Sequence, residues 1–164
     1  MKLVIVMRTD LNMRKGKMVA QGAHAAIFPF LFATDDPNDQ AARRLVQWLN
    51  CGMKKICVRA DSLAELDAIE LQARSAGVEV YVVNDAGHTE FHGVTTKTCI
   101  SIGPDQEDKI DRITGGLRLL QQAIYGVEAI AAELRDAGSH DGLRSPRAGP
   151  KSPAVRLLQD IWVG

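Results

Sequence analysis

Cysteine is scarce in this chain, and what there is does not pair. Cys51, Cys57 and Cys99 are the three in 164 residues, and no two form a C-x-x-C motif, so the usual redox and zinc signatures are missing. Cys57 and Cys99 fall in strand-like runs and read as buried apolar thiols. Long apolar runs are missing too. None approaches the ~18 consecutive residues of a membrane-spanning helix, and no small-residue cleavage site follows the apolar start, which argues against a secretory signal. Without a targeting segment the expected location is the cytoplasm, with no membrane partner. A serine nucleophile lacks its G-x-S-x-G elbow. A Walker loop lacks its first glycine, and Met18 stands where Ser or Thr should follow Gly16-Lys17.

Net charge is absent overall but not locally. Residues 1–60 hold ten Lys/Arg and four Asp/Glu, a net of +6; residues 61–120 hold five and eleven, a net of −6; the last 44 balance at five each. A basic first third can face phosphates while an acidic face points elsewhere, or the molecule is simply dipolar. A hydrophobic content of 46% is ordinary for a globular core, and the length suits one domain with a tail.

The patterning is that of an α/β protein. Lys2–Met7 is a short β-branched run that reads as a central strand. A helix follows Gly16 to about Phe32, with Met18, Ala20, Ala23, Ala26, Ile27 and Leu31 small or apolar. A second helix is expected from Pro37, placed in its first turn, to Leu49, with Leu45, Trp48 and Leu49 as its apolar side. Lys55–Val58 is the second strand. Asp61 or Ser62 caps the next helix, Glu65 completing a capping-box pattern, with Leu63, Leu66, Ile69 and Ala73 facing inward and Gly77 as terminator. Val78–Val83 and Thr98–Ile102 are strands three and four, Gly103-Pro104 follows, and a helix from about Asp105 carries Ile110, Ile113 and Leu117. The order βααβαββα is an α/β sandwich. No helix separates strands three and four, so strand four is expected antiparallel in a four-stranded mixed sheet. Beyond residue 120, residues 121–137 read as an additional helix. Residues 138–164 read as a flexible linker ending in an apolar segment that would dock on its own domain or a neighbouring subunit.

Chemistry-bearing residues gather after strands one and three. Lys17 falls in the first turn of a helix, where the dipole attracts anions and disfavours a cation. With Arg14 and Lys15 it points to an anionic ligand, although a solvated basic turn reads as well. Gln21 and His24 stack with Lys17 at i+4 and i+7. They form a site wall, or His24 is an ordinary satisfied histidine; histidines can shuttle protons. Asp85 ends strand three, where open α/β sheets place ligands. Gly87 permits a tight turn and Thr89 offers a hydroxyl, though Asp and Gly also do plain turn work. Thr95, Thr96 and Thr98 are donors to a ligand or simple β-formers. His88, Glu90 and His92, with Cys99 the nearest thiol, match no zinc spacing.

The ordered set Arg8-Thr9-Asp10-Leu11, Lys15-Gly16-Lys17, Ala20-Gln21, His24-Ala25-Ala26, Trp48, Asp85-Ala86-Gly87, Thr89, Ile102-Gly103-Pro104 and Ile113-Thr114-Gly115 resembles the peptidyl-tRNA hydrolases of the archaeal and eukaryotic type, across about residues 2–120. The resemblance implies a three-layer α/β/α domain over residues 1–120. It implies a homodimer, no cofactor, and hydrolysis of the ester between a peptide and the ribose of the tRNA 3′-terminal adenosine. Lys17, Gln21, His24, Asp85, Thr89, Thr96 and Thr98 fall on the family's functional positions. Arg8, Arg14, Lys15, Arg43 and Arg44 are candidate contacts to tRNA phosphates. Four features depart from the pattern: Arg14 stands for a usual Gly, His88 for Arg, Glu90 for a frequent Gln, and the 91–95 segment is longer and lacks Pro-Gly. The competing readings are an RNA-binding module without catalysis and an adaptor acting through the tail. The general base is left open between Asp85 and His24.

Overall fold

The computed structural model describes residues 1–36 and 38–120. The expected helix at 121–137, the 138–164 segment and Pro37 lie outside the described residues. The elements run β1 (Lys2–Arg8), α1 (Lys15–Leu31), α2 (Gln40–Asn50), β2 (Lys55–Ala60), α3 (Leu63–Ser75), β3 (Val80–Asp85), β4 (Thr96–Asp105) and α4 (Glu107–Thr114). The expected order βααβαββα is therefore observed. The sheet is four-stranded in the order β2-β1-β4-β3. β1 and β2 are parallel, and β4 runs antiparallel to both β1 and β3. It is mixed, as the missing crossover between β3 and β4 requires.

Helices cover both faces. Even-numbered residues of β1, Val4 and Val6, pack with Ile100, Ile102 and the buried faces of α3 and α4 (Leu66, Ile69, Ala73, Ile110, Ile113). Odd-numbered Leu3, Ile5 and Met7 pack with Ala25 of α1 and with Leu45 and Trp48 of α2. The period-two alternation of a strand thus feeds two separate cores, and β1, buried along its whole length, is the spine between them. Trp48 is fully buried, and its indole N–H donates to the Lys54 carbonyl at 2.9 Å. Truncating such a ring costs roughly 3–5 kcal/mol.

Several sequence expectations shift by a turn or a face. α1 packs on the sheet through Gln21, Ala25 and Pro29, the i, i+4, i+8 stripe. Ala20, Ala23, Ile27 and Leu31 are exposed instead. α2 starts at Gln40, because the Asp39 carboxylate caps it by accepting from the N–H groups of Ala41 and Ala42. Leu49 and Leu63 are exposed. Ser62 is the cap of α3, accepting from the Glu65 N–H, while the Glu65 carboxylate reaches back to the Asp61 N–H. β4 runs on through Gly103-Pro104 to Asp105. Cys99 is buried in the central strand β4, but Cys57 is exposed on β2, the outermost strand of the sheet on that side.

One irregularity positions the site. The β3–β4 register pairs Val83 with Cys99 and then Asn84 with Lys97, so Thr98 is an extra residue on β4. This β-bulge turns Thr98 and Cys99 toward the same face. Thr98 reaches Gln21 of α1, while Lys97 is sent to the opposite face, where its ammonium meets Asp67 and Glu70 of α3.

Candidate active site

Two strand ends and one helix start converge. After β1 the chain turns through residues 9–14 into α1, placing Lys17 in the first turn and Gln21 one turn later. After β3, Asp85 opens a loop over residues 86–95 that leads into β4. The Lys17 ammonium donates to Asp85 Oδ2 and, at 3.1 Å, to Thr89 Oγ1. Gln21 Nε2 donates to the same Asp85 oxygen at 2.9 Å. Asp85 Oδ1 accepts from the Gly87 N–H at 2.8 Å, an Asx-type turn. The Lys17 and Asp85 side chains each keep 13% of their surface exposed, so the pair reaches the surface and is not sealed in the core.

The first turn of α1 contains no acidic residue and no side-chain cap. Lys17, held against the dipole, is compensated by Asp85 at the end of β3. The ring of Phe91 lies 5.5 Å from the ammonium, within cation–π range. The hydrogen bond from Lys17 holds the Asp85 carboxyl below its ordinary value of 3.8, helped by the Gly87 N–H and the Gln21 amide and opposed by partial burial.

Gln21 is itself fixed from beneath. It is 3% exposed, and Thr98 is 0% exposed. The Thr98 hydroxyl donates to Gln21 Oε1 at 2.6 Å, which leaves the amide NH₂ aimed at Asp85. A chain thus runs from the bulge through Gln21 to the carboxylate. Thr96 sits opposite Asp85 in register and donates to the Val94 carbonyl at 2.9 Å. His24 is exposed and makes no hydrogen bond or ion pair among the described residues.

The cations suggested as phosphate contacts separate into two groups. Lys15 is exposed. Arg8 is buried: its guanidinium grips Asp10 through Nε at 3.1 Å and Nη2 at 2.6 Å, and Nη1 donates to the Lys97 carbonyl at 3.0 Å. Arg44 lies 3.4 Å from Asp105 and donates to Gln40. Arg14 pairs with Glu90 at 2.8 Å. Among the described residues no cluster of three or more His, Cys, Asp or Glu side chains could hold a metal ion, and no helix is long and apolar enough to cross a membrane. Burial pushes the Cys99 thiol up to about 12, which leaves it inert as a nucleophile.

Sequence reasoning did not find Phe91, the Arg14–Glu90 pair or the service of Thr98 to Gln21. The Asp-x-Gly spacing was a legible sign of the turn that supplies the Gly87 N–H. Nothing in the local sequence marked the bulge.

Residues 1–120 match the family described as "Peptidyl-tRNA hydrolase PTH2". The peptidyl-tRNA hydrolase of Methanocaldococcus jannaschii is 47% identical over 120 residues, 73% of this chain and 100% of that protein. Those of Methanothermobacter thermautotrophicus (44% over 120 residues) and Metallosphaera sedula (43% over 122 residues) likewise span 73% of this chain and 100% of their own length. The chain belongs to the PTH2 family.

Proposed function

We propose that this chain hydrolyses the ester joining a peptide to the 3′-terminal ribose of tRNA, returning free tRNA to translation in the cytoplasm. The observation that carries this reading is the meeting of Lys17, Asp85, Thr89 and Gln21 at one point, together with membership of the family. A binding module without catalysis would have no need of an ammonium and a carboxylate so closely opposed.

In the mechanism a water molecule attacks the ester carbonyl. The hydrogen bonds to Asp85 leave Oδ1 with free lone-pair capacity beyond the Gly87 N–H, and that is where the water is oriented. Three protons sit on the Lys17 ammonium; one goes to Asp85 and one to Thr89. The third faces the developing oxyanion, the arrangement in which an electrostatic donor contributes most. Thr89 accepts from Lys17 and so keeps its own proton for the departing ribose oxygen. As the tetrahedral intermediate collapses, the C–O bond to the ribose breaks. Thr89 gives its proton to that oxygen and takes up the one the water lost, and the peptide leaves as a carboxylic acid whose remaining proton passes to solvent. A carboxyl held below its usual range is a weak base, so Asp85 works mainly by aligning the water. His24 serves in neither role.

Thr96, at the rim beside Asp85, is assigned to substrate binding. Lys15 contacts tRNA phosphate, whereas Arg8 is committed to Asp10 and the Lys97 carbonyl. Recognition of the acceptor end comes from its unpaired bases and shape. Exposed Ile27, Leu31 and Phe32 on and after α1 support a homodimer. The test is release of free tRNA from purified peptidyl-tRNA in the presence of chelator. Wild-type turnover lost in Asp85→Asn supports the reading; a wild-type chain that binds tRNA without releasing peptide overturns it in favour of a binding module.

A further inference from the structure

We propose that Glu90 and Arg14 form a clasp that locks the 86–95 loop onto the start of α1, and that Glu90 is a positioning residue for hydrolysis; the inference rests on the hydrolase reading above.

Arg14 is the residue immediately before α1, and Lys17 lies three positions on. Glu90 directly follows Thr89 in the loop that begins at Asp85. The Glu90 carboxylate takes two donors from Arg14: Oε1 accepts from the side-chain Nε at 2.8 Å, and Oε2 accepts from the backbone N–H at 3.3 Å. The second bond supplies the acidic partner that the first turn of α1 lacks. This clasp closes the same two segments that the Lys17–Asp85 and Lys17–Thr89 contacts join, three residues before Lys17 and one after Thr89.

Exposure divides the pair unequally. The Glu90 side chain keeps 14% of its surface, Arg14 78%. A carboxylate that well covered, beside a site for a polyanion, would repel phosphate if it were free. Bonded to Arg14, it is neutralised and its charge becomes structural. Elsewhere the loop is held by its own backbone, through the Phe91 and Gly93 N–H groups donating to the Gly87 carbonyl and Val94 N–H to Phe91. Those bonds fix the shape of the loop, while the clasp fixes where it sits against α1. Arg14 therefore acts through Glu90 and is removed from the set of phosphate contacts.

The experiment is a double-substitution cycle, Arg14→Ala, Glu90→Ala and both together, with kcat and KM measured on peptidyl-tRNA over a range of salt. Each single substitution is expected to lower kcat roughly threefold to fivefold, the upper range for a pair of this exposure. Arg14→Ala removes the side-chain donor but keeps the backbone N–H, so the double variant should be no worse than Glu90→Ala, which already breaks both bonds. Glu90→Gln, which keeps an acceptor for the Arg14 N–H, should recover part of the loss, and the salt dependence of KM should stay that of the wild type. Independent, multiplying effects overturn the clasp. So does an Arg14→Ala variant with unchanged kcat, raised KM and a salt slope lower by about one, the mark of a phosphate contact. In both cases wild-type turnover leaves the hydrolase reading standing; no turnover in the wild type removes both.

Discussion

Lys17 and Asp85, 68 positions apart, form an ion pair whose carboxylate oxygen also accepts from Gln21. The relationship sets a specific expectation for Lys17→Ala. If the ammonium stabilises the oxyanion, turnover at saturating substrate falls about 10²–10³-fold, the usual cost of such a donor. If it only binds phosphate, KM rises and kcat survives. Steady-state kinetics on one purified peptidyl-tRNA separates the two, and a near-wild-type kcat would withdraw the oxyanion role.

The base assignment has its own test in pH. Asp85 is held below its ordinary value of 3.8, chiefly by Lys17. It is therefore ionised throughout the neutral range, and kcat/KM should be level there, with the acid limb displaced below the usual carboxylate position. A histidine base would instead bend the profile near neutrality. Asp85→Asn should abolish turnover and His24→Ala leave it close to wild type. Stability follows the same sign. With the folded pKa depressed, the contribution of the pair is present above the unfolded value and is lost as pH falls through the folded one. The melting temperatures of wild type and Asp85→Asn should converge in acid.

The Thr98 hydroxyl touches Gln21 and is fully buried, so its effect on catalysis is indirect. Thr98→Val keeps the shape and deletes the donor. The Gln21 amide then loses the bond that orients it, and kcat is expected to fall about tenfold with KM unchanged, roughly the value of one hydrogen bond to a buried acceptor. Thr98→Ser restores the donor and should restore kcat. A raised KM in Thr98→Val would mean that the hydroxyl meets substrate after all.

This device shows where sequence reading stops. The order of elements along the chain, the antiparallel β4 and the meeting of the two loops were legible, because β-branched runs, the missing crossover and the placement of ligands at strand ends are local or topological rules. Lys17 and Asp85 could be named together for that reason. The inward face of α1 was misjudged, since its alanines fit either side of a helix and the polar Gln21 is the residue buried. A register shift at Thr98 depends on pairing between strands, which no window of sequence contains. The Arg14–Glu90 contact was hidden likewise: each residue stood out on its own, and only the fold joins them.

An arginine and a lysine near the site should respond differently to salt and heat. Lys15 is exposed, so Lys15→Ala should weaken substrate binding and reduce the salt slope of KM by about one, with an unchanged melting temperature. Arg8 is buried, with three donors committed. Arg8→Ala removes the partner of the Asp10 carboxylate and a donor to the Lys97 carbonyl, and should cost roughly 2 kcal/mol or more of stability, while the salt slope stays put. Thermal melts beside kinetics at several salt concentrations check both, and a salt-independent KM in the wild type would contradict phosphate recognition altogether.

Gly87 is the point at which loop geometry and chemistry cannot be separated. Its φ is +83°, and a Cβ there would come within 2.5 Å of the Val94 carbonyl oxygen and 2.7 Å of the Val94 nitrogen, closer than any real side chain sits. Its N–H holds Asp85 Oδ1 and its carbonyl accepts from Phe91 and Gly93. Gly87→Ala therefore pays twice, about 1–2 kcal/mol for the left-handed conformation and a further amount for backbone that must move. The loop is expected to shift away from α1, carrying Thr89 from Lys17 and breaking the turn that orients Asp85. The outcome should be a drop in kcat of about tenfold or more, since at least one hydrogen bond to the reacting carboxylate is lost. A melting temperature lowered by several degrees should accompany it. Asp85→Asn alone should leave the loop in place, so amide exchange at residues 86–95 rises in Gly87→Ala and not in Asp85→Asn. Equal protection in the two variants would mean that the loop is held by α1 rather than by its own turn.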